Sequence, residues 1–474
     1  MPRCAWAVLC LWGLGCGGAG QAEGNADASG LADGSGSGLV DEVGDDDGSV
    51  DASRVDASLV DAGRADTPDA TGSATSDAAP PLDAAPEAST LDAPTPPSCA
   101  ARAACPAPPA VTEGAGPVAI ERCAFVLEDD GKRATYEAAI AGLTTTLKTA
   151  SIGAVLAAAN RDAVAVSASK VGATGFVRGF AWDADDEGKA WWIPQGISGS
   201  FDASASGTVA GKKVVAVSWY YDKDKHPGST GEKGIRLSLA DVTGATVKYR
   251  HLLLVAPKMV GGRADFDPID IHAGGIAWVG DKLWVADTVR GLRVFDLSRI
   301  LKIEGTADSI GWDGTTYQGG LYAYVVPQAG FWVDASACRP NYSFLAFDRT
   351  SSSLVTGEYS ATTSQGRVFR WPVDPTTGAL AAKTYADGAW VMGQQQVQGA
   401  VTRDGAFYFS SSKPPLDGGV LYAARPAKKT LSYGWVDWPE DLMFDTLGNQ
   451  LWSLSEGVGV RYVFATDAGV LKAP

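Results

Sequence analysis

Five polar residues stand where strand-like segments begin in the C-terminal part of this 474-residue chain. They are Gln195, His272, Gln398, Glu440 and Asp441, and each comes just before a small residue or a leucine that opens the segment. If the segments converge on one axis, these side chains meet there. Their carboxylate and amide oxygens are ligands that Ca²⁺ prefers, so they could hold a calcium ion. They could equally bind a small polar ligand, or cap strand ends around a water-filled channel.

His272 is one of only three histidines in the chain. A histidine that acts as a general base needs a carboxylate partner, and Asp270, Glu440 or Asp441 could serve. A structural hydrogen bond is the alternative role for a histidine in this position. No H-E-x-x-H and no G-x-S-x-G sequence occurs, so the motifs of zinc proteases and α/β-hydrolases give those classes no support.

The elements that must position these residues are short strands. From residue 163 onward, runs rich in Val, Tyr, Trp and Phe alternate with Gly, Asp and Pro, a pattern typical of strands and turns. A unit recurs with variation, most clearly as GGIAWVGDKLWVADTVRGLRVFDLS at 274–298. Repetition favours the blades of a β-propeller over a sandwich. We therefore predict that 163–474 form an all-β propeller.

The copies of the unit predict how many blades there are and how the ring closes. Besides 274–298, copies lie at 195–222, 343–380, 398–426 and 440–467. The last copy is short of strands, and a strand pattern within 175–193 could complete it, which would seal the ring without an exposed edge. Five blades are predicted, or six if 301–340 hides another. Aromatic residues of the second strands are expected to pack between blades: Trp219, Trp284, Phe407, Tyr408 and Trp452.

The repeats resemble those of known propeller families. LWVADTVRGLRVFDLS (283–298) resembles the repeat of bacterial cell-surface propellers of the LVIVP type and, more distantly, NHL repeats. VFRWPVDPTTGAL (368–380) is similar to a strand–turn–strand of lactonase-like propellers. PQGI (194–197), HAGGI (272–276) and PEDL (439–442) are similar to segments of uncharacterised secreted or lipoprotein propellers of bacteria. The resemblance covers about 190–470 and implies the fold, but it assigns no reaction.

The N-terminus predicts export. Arg3 precedes an uncharged apolar run at 4–15, which is too short to span a bilayer and matches a signal peptide. The end of this run, Gly13 to Cys16, resembles a lipobox, with Gly13 in the place of the usual leucine. We expect a lipid on Cys16 that anchors the protein at the bacterial cell surface or outer membrane. A plain secretory signal and a secreted protein are the alternative.

Residues 17–98 are predicted to be a disordered linker. They lack Phe, Tyr, Trp, Ile and Met, and they carry 17 acidic and 2 basic residues. Such a composition cannot bury enough apolar surface to offset the entropy of ordering. The chain has a net charge of −16, of which the linker supplies −15, so 99–474 are nearly neutral. The overall acidity therefore says nothing about the ligand of the folded domain.

Residues 99–162 are predicted to form an N-terminal extension of the propeller. Helical spacing of apolar residues predicts a helix at 134–148, and a second helix is expected at 152–159 with Ser151 as its N-cap. Neither helix carries residues that suggest chemistry.

Apart from Cys4 and Cys10 in the leader and the lipid candidate Cys16, four cysteines remain, and they predict two disulfides. They are Cys99, Cys105, Cys123 and Cys338, an even number in an exported protein. Three pairings are open. We favour Cys99 with Cys105 and Cys123 with Cys338. The spacing does not suit a zinc site.

Two functions compete on this evidence. The lipobox, the linker and the lack of a catalytic motif favour a surface-anchored propeller that binds a small molecule or another protein, as a monomer. The alternative is a Ca²⁺-dependent enzyme, similar to a lactonase or hydrolase, with its site in the central channel. The near-neutral domain has no basic patch with interleaved aromatics, which argues against nucleic acid. Contact with a membrane is expected only through the lipid.

Overall fold

The computed structural model describes residues 98–229, 231–412 and 418–474. The predicted leader and the linker as far as residue 97 lie outside the described residues. The first described elements are β1 (Val118–Ala119), β2 (Val126–Asp129), α1 (Arg133–Thr144), β3 (Thr149–Ala150), α2 (Ile152–Ala157), β4 (Arg161–Asp162), β5 (Val164–Ala165), α3 (Ala168–Val171), β6 (Phe176–Ala181) and α4 (Ala184–Gly188).

The chain then builds five antiparallel groups of four strands, which are the blades of a β-propeller. The outer strands of the first two blades also pair with each other, in parallel, from Leu253 opposite Val325 to Val255 opposite Pro327. The first blade is β7 (Trp192–Gly199), β8 (Val214–Tyr221), β9 (Ile235–Asp241) and β10 (Lys248–Val260), with α5 (Ser200–Ala203) after β7 and β11 (Arg263–Pro268) paired to β10. The second blade contains β12 (Ile276–Val279), β13 (Lys282–Asp287), β14 (Gly291–Asp296) and the outer strand β18 (Tyr324–Asp334). Three short strands lie between β14 and β18 in the chain: β15 (Ile300–Lys302), β16 (Ile310–Trp312) and β17 (Tyr317–Gly319).

The remaining blades follow the same order from the inner to the outer strand. The third is β19 (Phe344–Asp348), β20 (Ser353–Gly357), β21 (Arg367–Pro372) and, after β22 (Lys383–Tyr385), β23 (Gly388–Val391). The fourth is β24 (Val397–Arg403), β25 (Ala406–Ser411), β26 (Val420–Ala424) and β27 (Leu431–Gly434). The fifth is β28 (Pro439–Asp445), β29 (Gln450–Ser455) and β30 (Tyr462–Asp467), completed by β6.

The ring closes as the sequence predicted. β6 pairs antiparallel with β30, from Ala181 opposite Tyr462 to Phe176 opposite Thr466. The N-terminal strand thereby becomes the outer strand of the last blade, which leaves β30 without a free edge. The prediction of five blades is confirmed. Residues 301–340 contribute the hairpin β16–β17 and the outer strand β18 rather than a sixth blade.

The predicted aromatic residues form the core between blades. Trp219, Trp284 and Trp452 are buried, as are Phe407 and Tyr408. Trp219 and Trp452 belong to one apolar cluster shared by the first and fifth blades. Both faces of a blade are covered by its neighbours, so large side chains on the second strand are removed from water. Burying a side chain of this kind contributes about 1.5–3 kcal/mol.

The N-terminal extension adds strands and helices to the outside of the ring. β1 pairs with β23, β2 with β18, and β4 with β10. The predicted cap of α2 is confirmed, because Ser151 Oγ accepts from the Ala154 N–H at 3.1 Å. The first helix ends four residues before the predicted position. Its last turn contains Thr144 and Thr145, whose hydroxyls bond carbonyls three residues back, and such bonds compete with continued helix.

Both predicted disulfides form, but the favoured pairing is wrong. Cys99 bonds Cys123 and Cys105 bonds Cys338, with Cα–Cα distances of 5.6 and 5.3 Å. The segment from Cys99 runs alongside Cys123, as the bond from the Ala103 N–H to the Cys123 carbonyl shows. That arrangement leaves Cys105 facing the loop after β18, a contact that spacing in the sequence cannot reveal.

The disulfides are typical of an oxidising, extracellular compartment. Within residues 98–229, 231–412 and 418–474, no helix is both long and apolar enough to cross a membrane.

Candidate functional site

In the first, fourth and fifth blades the inner strand begins with a β-bulge. The pairing register shifts between Pro194 and Ile197, between Val397 and Gly399, and between Pro439 and Leu442. The residues inside these shifts are four of the predicted ones: Gln195, Gln398, Glu440 and Asp441. A bulge takes a residue out of the ladder and redirects its side chain. The same local feature therefore brings all four to the end of the channel where the inner strands begin, which we call the entry end.

Two carboxamides at the entry end each hold a carboxyl group. Gln398 Nε2 donates to Glu440 Oε1 at 3.1 Å. Gln195 Nε2 donates to Glu456 Oε2 at 2.8 Å and also to its neighbouring Pro194 carbonyl. Glu456 follows β29, whose last residue Ser455 lies opposite Pro439 at the start of β28. The antiparallel pairing thus places Glu456 at the same end of the blade as Glu440.

Asp441 lies one residue farther along the axis and joins three inner strands. From β28, its Oδ2 accepts from the N–H groups of Ile197 on β7 at 3.3 Å and Ile276 on β12 at 3.4 Å. The residue is fully buried, and its other oxygen, Oδ1, has no hydrogen-bond partner. Leaving a buried polar atom unpaired costs about 1–3 kcal/mol. We call Glu440, Asp441 and Glu456, with the amides of Gln195 and Gln398, the axial cluster.

Among residues 98–229, 231–412 and 418–474, no cation forms an ion pair with the carboxyl groups of the axial cluster. None of the ion pairs among the described residues includes Glu440, Asp441 or Glu456. Burial, with the charges of Glu456 and Asp441 nearby, raises the pKa of Glu440 well above its ordinary value. Burial also raises the pKa of Asp441 and of Glu456, against the lowering effect of their hydrogen bonds. The cluster therefore favours protons or a bound cation.

The opposite end of the channel is closed. Helix α5 follows β7 and contacts the inner strands β7, β12 and β28. Asp202 in this helix accepts from Ser198 Oγ at 2.7 Å, and Arg349 donates to the backbone carbonyl of Phe201 at 3.1 Å. Burial raises the pKa of Asp202 to about 7, although Ser198 and Arg349 act in the opposite direction. Helix α5 thus covers the ends of the inner strands opposite the entry end.

His272 lies on the rim of the channel rather than in the axial cluster. The residue as a whole is exposed, but its ring stacks on Tyr220, with 4.3 Å between ring centroids, and desolvation of the ring lowers the pKa of His272 to about 4. The next residue, Ala273, accepts through its carbonyl from Ser218 Oγ, which in turn accepts from the Gly196 N–H. The hydrogen bonds of the described residues do not join His272 to a carboxylate. The predicted partnership with Asp270, Glu440 or Asp441 is therefore not formed in this structure.

A different histidine, His251, has a carboxylate partner, in a network that the sequence did not suggest. Ser238 Oγ lies 2.8 Å from His251 Nδ1, and His251 Nε2 lies 2.8 Å from Asp186 Oδ2. The order resembles a serine–histidine–aspartate triad. All three residues are buried, however, and Ser238 Oγ already accepts from Trp219 Nε1 at 2.7 Å. Without access for a substrate, this network stabilises the packing of the first blade on α4.

An exposed tryptophan stands beside the axial cluster. Trp438 has 58% of its surface exposed and a positive φ of 53°. Its carbonyl accepts from the Glu456 N–H at 3.0 Å, and its indole lies over Gly457. Ala273 and Gln396 have similar positive φ values just before the inner strands of their own blades. A bulky residue in this conformation costs about 1–3 kcal/mol, and such strain clusters at binding sites.

Glu456 was not predicted from the sequence, because the predicted residues all stand at the start of a repeat unit and Glu456 follows a second strand. The signal was present, since the fifth copy pairs strands 440–445 and 450–455 as a hairpin, which brings the residue after its second strand back to the start of its first. No group of three or more His, Cys, Asp and Glu side chains suited to a metal ion occurs in the described part of the chain. A calcium ion at the axial cluster would have to draw on amide or backbone oxygens as well.

No protein-family model and no curated protein matches this sequence. Solved structures similar to it include a gluconolactonase of Xanthomonas campestris, 11% identical over 65% of this chain and 94% of that one, with a TM-score of 0.29. The Cps50 (Swd1) β-propeller domain of Myceliophteria thermophila is 8% identical over 62% of this chain and 99% of that one, with a TM-score of 0.30. PhoX of Pseudomonas fluorescens is 8% identical over 58% and 88%, with a TM-score of 0.29. These likenesses carry no functional argument, and the propeller architecture follows from the strand pairing itself.

Proposed function

We propose that this chain is an exported ligand-binding β-propeller that takes a small polar molecule at the axial cluster. One observation carries the proposal: a fully buried carboxyl oxygen, Asp441 Oδ1, has no hydrogen-bond partner among the described residues. Glu440 and Glu456, each held by a glutamine amide, line the way to it. The residues are positioned and desolvated, but their acceptor capacity is not filled.

A comparison within the molecule separates this cluster from a structural one. Asp186 is equally buried, but it accepts from Arg236, Tyr249 and His251 at 2.7–2.8 Å. Burial would raise the pKa of Asp186, yet Arg236 and His251 outweigh it and hold that pKa well below its usual range. The buried carboxylate of Asp186, which has a structural role, is therefore fully hydrogen-bonded and paired with a cation. Buried carboxyl groups that lack such compensation are typical of functional sites.

The proposal is tested by screening polar small molecules for binding to the purified protein. Glu440→Gln removes the charge but keeps an oxygen that can accept from Gln398, so its fold should be retained. Glu304→Gln is the matched control, because Glu304 is exposed and undergoes the same loss of charge. A ligand that raises the melting temperature of the wild type and of the control, but not of Glu440→Gln, supports the site. A ligand that raises the melting temperature of Glu440→Gln as much as that of the wild type would show that it binds at another site.

Anchoring by lipid forms the second part of the proposal. The two disulfides agree with export, and Cys16 stands where a lipobox cysteine would. Labelling cells with a palmitate analogue should mark the wild type and leave Cys16→Ala unlabelled. Label that survives this change would show that Cys16 is not the site of lipid attachment.

Catalysis is the second candidate function, and the raised pKa of Glu440 favours it. A carboxyl group whose pKa is raised well above its ordinary value is suited to act as a general acid. Hydrolysis of lactones and esters should then depend on Glu440 and, for the Ca²⁺-dependent form of the hypothesis, should be lost in EDTA and restored by Ca²⁺. Activity that is equal in wild type and Glu440→Gln would rule out this role.

A further inference from the structure

The end of the ring opposite the axial cluster is covered by an insertion in the first blade. Residues 200–213 lie between the inner strand β7 and its neighbour β8, and they begin with α5. The same connection is a short turn in the other four blades: 280–281, 349–352, 404–405 and 446–449. α5 contacts β7 and β8 in its own blade, and the inner strands β12 and β28 of the second and fifth blades. We call residues 200–213 the lid.

The lid is fastened to the other blades by a small number of contacts. The Gly280 N–H of the second blade donates to the Ala203 carbonyl at 3.1 Å. Arg349 of the third blade donates to the Phe201 carbonyl, also at 3.1 Å. Trp452 of the fifth blade stacks on Phe201, with 5.9 Å between ring centroids. These contacts hold α5 across the strand ends, and Phe201 is the one large apolar side chain of the lid that is buried.

The rest of the lid offers little resistance to local opening. Within 204–213 only Gly207 is buried, and most of the side chains are small or polar. Gly207 and Gly211 have φ values of +69° and +73°, a conformation that glycine adopts without strain. Segments with few buried apolar groups open at a lower free energy than the core, and loop residues of this kind absorb the backbone rotations of a hinge. These features suit a lid that opens while the blades stay folded.

Asp202 is the ionisable residue of α5, and its buried carboxyl group is poorly compensated. It is only 3% exposed, and Ser198 Oγ donates to its Oδ2 at 2.7 Å. The same Oγ accepts from the Trp278 N–H at 2.8 Å, so the hydroxyl is fixed between the two groups. Arg349 lies nearby but directs its guanidinium to backbone carbonyls. No ion pair within residues 98–229, 231–412 and 418–474 includes Asp202.

The charged groups that face Asp202 are mostly negative. On β28, Asp445 and Asp441 both repel an ionised Asp202. β7 and β12 contain no ionisable residue, and the two tyrosines of β8 lie at its far end. The remaining charged residues of the lid and of the turns that contact it are exposed: Lys212, Lys213 and Asp281. Burial together with Asp445 raises the pKa of Asp202 to about 7, which outweighs the opposing effects of Ser198 and Arg349.

We propose that the lid is a pH-sensitive latch, which closes the end of the ring while Asp202 carries a proton and opens when Asp202 is ionised and hydrated. Opening returns Asp202 to water, where an aspartate has a pKa of about 3.9. The open form therefore loses its proton more readily than the closed form, so the lid opens more as pH rises from about 4 to about 7. This inference concerns the end of the ring opposite the axial cluster and does not rest on the proposed function.

The test is hydrogen exchange of the whole exported protein at pH 5 and pH 8, followed by mass spectrometry of peptides that cover 200–213. Exchange rates are divided by those of an unstructured peptide of the same sequence, which removes the direct effect of pH. The opening constant of the lid should rise on the order of a hundredfold between the two pH values. In Asp202→Asn it should change less than about threefold. Asp404→Asn is the matched control and should keep the wild-type response, because Asp404 lies in the fourth-blade turn at the same end and its side chain is 66% exposed.

A lid that exchanges equally at both pH values, or whose response to pH survives in Asp202→Asn, would overturn the inference. An equal rise in peptides of the buried strand β13 would overturn it as well, because the whole domain would then be opening. If Asp202→Asn does not fold, Arg349→Gln provides the test. Loss of this positive charge near Asp202 should raise the pH at which the lid opens, and an unchanged midpoint would contradict the role of Asp202.

Discussion

The buried carboxylate of Asp186 gives the most quantitative prediction. Asp186 belongs to α4, which connects the closing strand β6 to the first blade, and its side chain is fully buried. Its Oδ1 accepts from Arg236 at 2.8 Å. The Arg236 guanidinium is itself only 2% exposed and lies 4.6 and 4.4 Å from the ring centroids of Trp192 and Trp219. Among the described residues, Asp186 is its only ion-pair partner.

Asp186→Asn leaves the Arg236 charge buried without a counter-ion. Removing one partner of a buried pair costs about 3–5 kcal/mol, and we expect a loss in that range from the free energy of unfolding. Asp185→Asn is the matched control. Asp185 is the adjacent residue, and its side chain is 52% exposed where it pairs with Lys189. A pair this exposed contributes less than about 1 kcal/mol.

The assay is guanidinium-induced unfolding at pH 7, followed by tryptophan fluorescence, which Trp182 and Trp219 beside the network should report. The two variants carry the same chemical change in neighbouring positions, so their difference isolates burial. If Asp186→Asn loses no more stability than Asp185→Asn, the network does not hold the closing segment to the first blade as described.

Three further predictions concern pH and the disulfides. In the folded protein the pKa of Glu440 is above the ordinary value of a glutamate, so the stability of the protein falls as pH rises through that folded pKa. Glu440→Gln should therefore unfold at a higher denaturant concentration than the wild type at pH 8. The difference between the two proteins should be smaller at pH 5. Burial and the Arg236 charge lower the pKa of His251 to about 3, whereas in the unfolded chain a histidine takes up its proton near pH 6.5. The free energy of unfolding should therefore fall from pH 7 to pH 4. The fall should be less steep in His251→Gln than in the wild type. Peptide mapping without reduction should recover Cys99 linked to Cys123 and Cys105 linked to Cys338, and replacing the second pair by serine should cost about 2–5 kcal/mol; recovery of Cys99 linked to Cys105 would contradict the fold of the N-terminal segment.

The repeat made the fold predictable. Each unit carries its own strand and turn pattern, so five copies predicted five blades, and the missing strand of the last copy predicted the closure by β6. The aromatic residues of the second strands could be assigned to the core because every blade repeats the same two packing faces. The strands and turns of each unit depend mainly on residues within that unit, so they could be predicted from the repeated sequence pattern.

The candidate site was predicted in part, because its geometry depends on which blades adopt the same local distortion. Bulges at Gln195, Gln398 and Glu440 brought these residues to the axis. His272 precedes Gly274 and Gly275, where the register of β12 shows no such shift, and it stays on the rim. The disulfide pairing failed for a related reason. It depends on the path of a segment without repeated pattern, which only tertiary contacts determine.

The ionisation of Glu440 tests the central claim most directly. Carboxyl ¹³C NMR of glutamate-labelled protein, with the Glu440 resonance identified by its absence from Glu440→Gln, would follow this group through a pH titration. We predict that it titrates well above the ordinary range of a glutamate. A Glu440 resonance that titrates at an ordinary pKa would contradict the account of the axial cluster as a set of desolvated carboxyl groups.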